Sequence, residues 1–298
     1  MGRVGGGIPL ESESSIGGSG PGSVPLKAFP RLVSVEATTR TVTTADGTEI
    51  ATLVWPGAGP TVVVLHGLAG SSREFVPTAE ALAGHSVVLV DQRGHGRSTR
   101  RPADTSRAAF VADVVAVIDA LTAPPVVLVG QSMGAHTAML VAAARPDLVR
   151  GLVLLEVDQG SGTPEDHAAL GAFFRSWPTP FADRAAARAE LGDGALAEAW
   201  VADLEERPDG LHPRFDADVV QSTIEAVGTP RWAEWESVTA PTLVLYADGG
   251  MFTAEQQQEF VRRGRSVTVG RLHDASHDAH LDAFDQWIDA LRSWVALM

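Results

Sequence analysis

The chain of 298 residues contains no cysteine, so neither a disulfide nor a thiolate-ligated metal site is open to it. Lysine is almost absent as well, Lys27 being the only one. Positive charge is left to arginine and is in short supply: Lys+Arg 23 stand against Asp+Glu 37, a formal net charge of −14. That balance repels phosphate backbones and anionic bilayers, which argues against nucleic-acid or membrane partners. There is no run of about 18 apolar residues to form a membrane-spanning helix. Residues 1–30 also lack the apolar core of roughly 7–15 residues that marks a secretory signal, so a cytoplasmic location is expected. The remainder, 45% hydrophobic and 20% charged, is the composition of an ordinary globular protein.

Residues 1–33 are rich in Gly, Ser and Pro, with the run Gly17-Gly18-Ser19-Gly20-Pro21-Gly22-Ser23, and are expected to form a flexible N-terminal segment. From Arg40 the pattern changes. Arg40–Thr44 and Glu49–Trp55 flank Ala45-Asp46-Gly47 and read as a hairpin, with Asp-Gly supplying a positive-φ turn. Short, continuous apolar runs follow at Thr61–Leu65, Ser86–Val90, Pro125–Val129 and Gly151–Leu155. Being apolar on both alternating faces, they suit strands of a parallel sheet covered on both sides. Helical patterns at Ala108–Leu121 and Gly134–Ala144 lie between them, which predicts an α/β fold with right-handed crossovers. After Gly160 the alternation stops, and residues 161–236 read as helical segments (Pro164–Trp177, Ala182–Leu191, Ala195–Glu206, Ala217–Val227) with no strand among them. The strand pattern returns at Pro241–Tyr246 and Ser266–Leu272, separated by a helix over Ala254–Arg263 and followed by one last amphipathic helix over Ala279–Leu297. The expected organisation is a core over 34–160 and 237–298, interrupted by a helical insertion over 161–236.

Chemistry concentrates at the strand ends. Gly130-Gln131-Ser132-Met133-Gly134 stands between an apolar strand and a helical pattern. That is the context in which G-x-S-x-G forms a sharp turn and presents its serine hydroxyl at the sheet's carboxyl edge. Ser132 is the candidate nucleophile, and the helix behind it would aim N–H groups at a developing oxyanion. His66-Gly67-Leu68-Ala69-Gly70 follows an earlier strand; its turn would bring the Leu68 N–H beside that of Met133 as the two oxyanion donors. His66 reads as a structural hydrogen-bonding residue.

With Asp91-Gln92-Arg93-Gly94-His95-Gly96-Arg97-Ser98 after the next strand, the chain resembles the α/β-hydrolase superfamily. Members of that family carry an HG turn, a D-x-R-G-x-G-x-S loop and G-x-S-x-G in this order. The resemblance covers about residues 34–298. It implies a mostly parallel eight-stranded sheet flanked by helices, with the insertion as a cap over the carboxyl edge. It also implies a catalytic histidine after the last strand. Ala275-Ser276-His277 matches that position, so His277 is the expected general base; Asp91, Arg93 and His95 are implied to be loop-shaping.

The acid departs from the family pattern. Aligning Pro241-Thr242-Leu243-Val244-Leu245-Tyr246-Ala247 on the usual strand places Gly250 where the aspartate belongs. Two replacements compete: Glu156, which ends Val153-Leu154-Leu155 as in family branches such as certain haloalkane dehalogenases, and Asp248, nearer the usual strand. Glu156 is favoured because a charge ending a buried strand needs a partner, which an imidazolium would supply.

The resulting expectation is a serine hydrolase that cleaves a carboxylic ester, lactone or thioester of a small apolar molecule through an acyl-enzyme, with no cofactor and no metal. Phe173, Phe174, Trp177, Phe181 and Trp200 of the insertion read first as the apolar core of the cap, with Phe174 and Trp177 the candidate substrate contacts among them. The alternative from a different class is non-hydrolytic use of the same fold: C–C cleavage, a lyase, or a tailoring or binding protein with a modified triad.

Overall fold

A computed structural model describes residues 36–298; the segment expected to be flexible, 1–33, lies outside the described residues. The chain opens with the hairpin β1 (Thr38–Thr43) and β2 (Glu49–Trp55), turned by Gly47 at φ +84°. Then come β3 (Gly59–Leu65), α1 (Val76–Ala81), β4 (His85–Val90), α2 (Arg107–Leu121), β5 (Val126–Gln131), α3 (Met133–Ala144) and β6 (Val149–Leu155). After the insertion, β9 (Thr242–Gly249), α9 (Ala254–Arg263), β10 (Val267–Ser276), α10 (Ala279–Asp282) and α11 (Phe284–Val295) complete the core.

The eight strands form one sheet in the order β1-β2-β4-β3-β5-β6-β9-β10. Pairing is antiparallel from β1 through β2 to β4 and parallel from there on. The unbroken apolar runs are explained by both faces being covered. Val63, Leu65, Leu128 and Leu154 face α2, α3 and α9, while Val62, Val64, Val129 and Val153 face α1 and α11.

Between β6 and β9 lie α4 (Pro164–Arg175), α5 (Arg184–Leu191), α6 (Ala195–Asp203), β7 (Glu205–Arg207), β8 (Gly210–His212), α7 (Ala217–Val227) and α8 (Trp232–Ser237). Thr163 starts α4 with a capping box, its hydroxyl accepting from the Asp166 N–H while Asp166 accepts from the Thr163 N–H. The insertion has a small apolar centre of its own around Phe174, Trp177, Phe181 and Phe215. It is tied to the core by Trp200, whose Nε1–H donates to the Ala69 carbonyl (3.1 Å), and by Arg100, which pairs with Asp216 (3.0 Å).

Two expectations are corrected. The insertion is not wholly helical: α6 ends at Asp203 and β7 and β8 pair antiparallel. The turn between them, Pro208-Asp209-Gly210 with Gly210 at φ +137°, carries a turn signal in the gap between the helical patterns expected over Ala195–Glu206 and Ala217–Val227. The last helix is also two helices, because Ala283 leaves helical geometry (φ −125°, ψ 41°) and the Asp282 carboxylate turns back to accept the Ser276 N–H (3.2 Å). His280, Trp287 and Leu291 stay on one apolar side across this break, so a period of 3.6 residues runs straight through it.

Trp235 of α8 joins the cap's return to the core. It is buried, stacks on Phe260 with ring centroids 4.2 Å apart, and donates Nε1–H to the Phe260 carbonyl (2.7 Å). Trp235→Ala should lower the unfolding free energy by about 3–5 kcal/mol, read as a shift of the urea midpoint. A loss below about 1 kcal/mol would show that this joint carries little of the stability.

Candidate active site

Three polar residues each stand one position beyond a parallel strand: Ser132 after β5, Glu156 after β6 and His277 after β10. The sheet ladder fixes their starting points. Ser132 N–H donates to the Leu155 carbonyl and Glu156 N–H to the Leu245 carbonyl, both at 2.9 Å. Ser132 and Glu156 both have φ +51°, a conformation that costs of order 1–3 kcal/mol for a residue with a Cβ. At Ser132 it is enforced by close packing beneath the turn. A Cβ on Gly130 would lie 2.3 Å from the Gly134 carbonyl oxygen, and one on Gly134 would lie 2.3 Å from that of Leu65. Only glycine at both positions lets α3 start directly behind the serine.

Glu156 is fully buried and its carboxylate is held from three sides. Oε1 accepts the Ala247 N–H (2.8 Å), Oε2 accepts the Met251 N–H (3.0 Å), and Oε2 lies 3.1 Å from His277 Nδ1. The glycine where the family's aspartate was expected is part of the same arrangement. A Cβ on Gly250 would fall 2.3 Å from both Glu156 carboxylate oxygens, so the space beside the usual strand is filled by a carboxyl group from the neighbouring one. Asp248, the competing acid, points elsewhere: it is exposed and pairs with the exposed His273 (Oδ2 to Nδ1, 2.9 Å).

The N–H groups of Leu68 and Met133 make no hydrogen bond to a protein acceptor among the described residues. They follow the HG turn and start α3, respectively. His66 is buried, with Nε2 accepting the Gln92 N–H (3.0 Å), and burial lowers its pKa to about 4; it is a neutral strut of the loop. Asp91 accepts the Ser72 N–H (2.7 Å) and the Arg97 N–H (2.9 Å), and Arg93 binds Asp113 at 2.6 Å, so both shape their loop.

A cavity of about 110 Å³ adjoins Ser132, Glu156 and His277, lined further by Met133, His136, Ile224, Val227, Met251 and Phe252, among others. Phe174 and Trp177, expected as substrate contacts, are not among its walls. Both are buried in the centre of the cap, where their rings pack edge to face 5.3 Å apart. Aromatic size drew attention to α4, whereas the cap supplies aliphatic residues from α7. Gln131, overlooked in the sequence, bridges the loops: its Nε2 donates to the His277 carbonyl (3.2 Å) and Asp278 Oδ1 (3.3 Å). Its place beside the nucleophile was the only available signal.

The family model for the alpha/beta hydrolase fold matches residues 60–284. An sn-1-specific diacylglycerol lipase of Mus musculus is 29% identical over 80% of this chain and 81% of its own length. A 2-(acetamidomethylene)succinate hydrolase of Mesorhizobium japonicum is 27% identical over 78% of this chain and 90% of its own. Among solved structures, an E-2-(acetamidomethylene)succinate hydrolase superposes with a TM-score of 0.80 at 22% identity, covering 88% of this chain and all of that one (100%). An enol-lactonase from Burkholderia xenovorans gives 0.71 at 21% identity over 86% of this chain and 100% of that one.

The shared space of Gly250 and Glu156 is directly measurable. The carboxylate is buried and pinned, so it cannot swing aside as an exposed one would. Gly250→Ala should therefore cost about 1–3 kcal/mol, as other overpacked sites do, and most of that cost should vanish in a Glu156→Ala background. Equal costs in both backgrounds, by urea unfolding, would show that the two positions do not compete for space.

Proposed function

The chain belongs to the alpha/beta hydrolase fold family, and from that premise we propose that it is a serine hydrolase cleaving a small carboxylic ester, lactone or thioester through an acyl-enzyme on Ser132. The observation that carries the reading is the 3.1 Å contact between His277 Nδ1 and the buried Glu156 carboxylate, at the ends of β10 and β6 in the sheet whose β5 ends at the serine elbow. A carboxylate on Nδ1 fixes the tautomer that leaves Nε2 free as a base.

The steps follow from these roles. Ser132 Oγ attacks the carbonyl carbon as its proton passes to His277 Nε2, and Glu156 stabilises the imidazolium so formed. Negative charge gathers on the carbonyl oxygen, where the Leu68 and Met133 N–H groups would receive it. The tetrahedral intermediate collapses as His277 returns the proton to the leaving alkoxide or thiolate. Water, deprotonated by the same histidine, then releases the acid and restores Ser132. Glu156 does this work in place of an aspartate on β9, a reading supported by Gly250 and by the engagement of Asp248 with His273.

A cavity of about 110 Å³ is well below the roughly 300–1,000 Å³ that encloses a drug-sized ligand, which supports a short acyl group. The relatives bear names as a lipase, an amide-bearing succinate hydrolase and an enol-lactonase, which supports acyl transfer to water as the reaction class.

A fluorophosphonate probe should label the protein at Ser132 and fail to label Ser132→Ala, whose kcat on p-nitrophenyl acetate should fall about 10⁴–10⁶-fold. Absence of labelling in the folded parent would discard the acyl-enzyme and leave the non-hydrolytic alternative. For the acid, Glu156→Gln should cost about 10⁴ in kcat, while Asp248→Asn should leave it within about twofold. The reverse order of losses would return the acid to β9.

A further inference from the structure

His136 lies in the first turn of α3, its N–H donating to the Ser132 carbonyl (2.9 Å), and lines the same cavity as Ser132. It is buried; among the described residues neither ring nitrogen makes a close hydrogen bond, and the Gln159 carbonyl is the backbone acceptor that faces the ring. Asp158, also buried, lines the same cavity; its Oδ1 accepts the Gly160 N–H (2.9 Å), Oδ2 has no close partner among the described residues, and the Ser161 hydroxyl, another cavity wall, faces the carboxylate. Buried polar atoms are rarely left without partners, because each orphan costs about 1–3 kcal/mol. The serine-hydrolase chemistry described above uses neither residue.

Behind His136 stands Arg107, buried, its guanidinium 4.4 Å from the Phe110 ring centroid and hydrogen-bonded to Thr137 Oγ1, with no carboxylate partner. Burial and the charges of Arg107 and Arg231 push the His136 imidazole well below its usual pKa, the Gln159 carbonyl pulling weakly the other way. The ring is therefore neutral at physiological pH, offering one N–H donor and one acceptor.

We propose that His136 and Asp158, both walls of the Ser132 cavity, form a hydroxyl-binding subsite, so that the preferred acyl group is a short one carrying a hydroxyl. The proposal rests on the serine-hydrolase reading for its chemistry but on these unpaired atoms for its specificity. A cavity of about 110 Å³ is small enough for one short ligand to touch both. A hydroxyl is the smallest group that donates and accepts at once: its oxygen takes the imidazole N–H and its proton goes to Asp158 Oδ2. A plain hydrocarbon leaves both residues unpaired. A second carboxylate would meet Asp158 inside the cavity, whereas Arg107 is not one of the cavity walls.

The experiment compares p-nitrophenyl 3-hydroxybutanoate, p-nitrophenyl butanoate and mono-p-nitrophenyl succinate on the intact protein. The hydroxy ester should exceed butanoate by about 10- to 100-fold in kcat/KM, the span set by one unpaired buried group. His136→Leu and Asp158→Asn should each bring that ratio towards one, whatever they do to the rate on butanoate. Calorimetry on Ser132→Ala with methyl 3-hydroxybutanoate and methyl butanoate reads the same preference as binding, independently of any acyl-enzyme. Equal rates and equal binding for the hydroxy and plain esters would overturn the subsite, as would preference for the succinate, which would make it an anion site. A failed fluorophosphonate reaction with the binding preference intact would instead strike only the acyl-enzyme mechanism.

Discussion

A carboxylate without solvent must have donors for both oxygens or forfeit several kcal/mol, and Glu156 meets that demand with two backbone N–H groups and one imidazole. Much of the site's geometry is subordinate to this cluster. Ala247 and Met251 supply the backbone donors, so the end of β9 must run alongside Glu156. Gly250 must be without a side chain because the carboxylate occupies its place. The His277 ring is thereby oriented from β6, while Gln131 holds the loop's backbone from the nucleophile strand.

Such an arrangement separates charge from orientation. Two of the carboxylate's donors are backbone groups fixed by the sheet, so Glu156 keeps its place whether or not His277 carries a second proton. Burial also keeps water from screening the pair, so the interaction is stronger than the same contact would be at the surface.

The cap participates through position more than through aromatic contacts. Its aromatic residues pack on one another, and Trp200 holds the Ala69 carbonyl in the loop that bears Leu68. A change in cap packing can thus reach the loop that follows β3 without touching the cavity. The aliphatic wall from α7, with Ile224 and Val227, and the polar pair His136 and Asp158 define the small space next to Ser132.

Much of this was readable before any coordinates. Strands covered on both faces must be apolar throughout, so β3 to β6 and β9 announced themselves as unbroken Val and Leu runs. The elbow was legible because only glycines at 130 and 134 permit that turn, and Ser132 and His277 each sit at an element boundary that sequence patterning marks. Other features came only from the tertiary structure. Glu156 and Asp248 both sit at the ends of buried strand patterns, and burial cost favoured Glu156 without excluding Asp248; the space over Gly250 and the pairing of Asp248 with His273 are contacts between strands distant in sequence. The hairpin of β7 and β8 was hidden because its strands are only three residues each and the first overlaps the end of the helical pattern over Ala195–Glu206, and the break at Ala283 because the apolar side continues across it. Phe174 and Trp177 were expected at the substrate because size and hydrophobicity read alike in a core and in a pocket. Periodicity records that a side chain is buried, but which neighbours bury it is decided only when the elements pack.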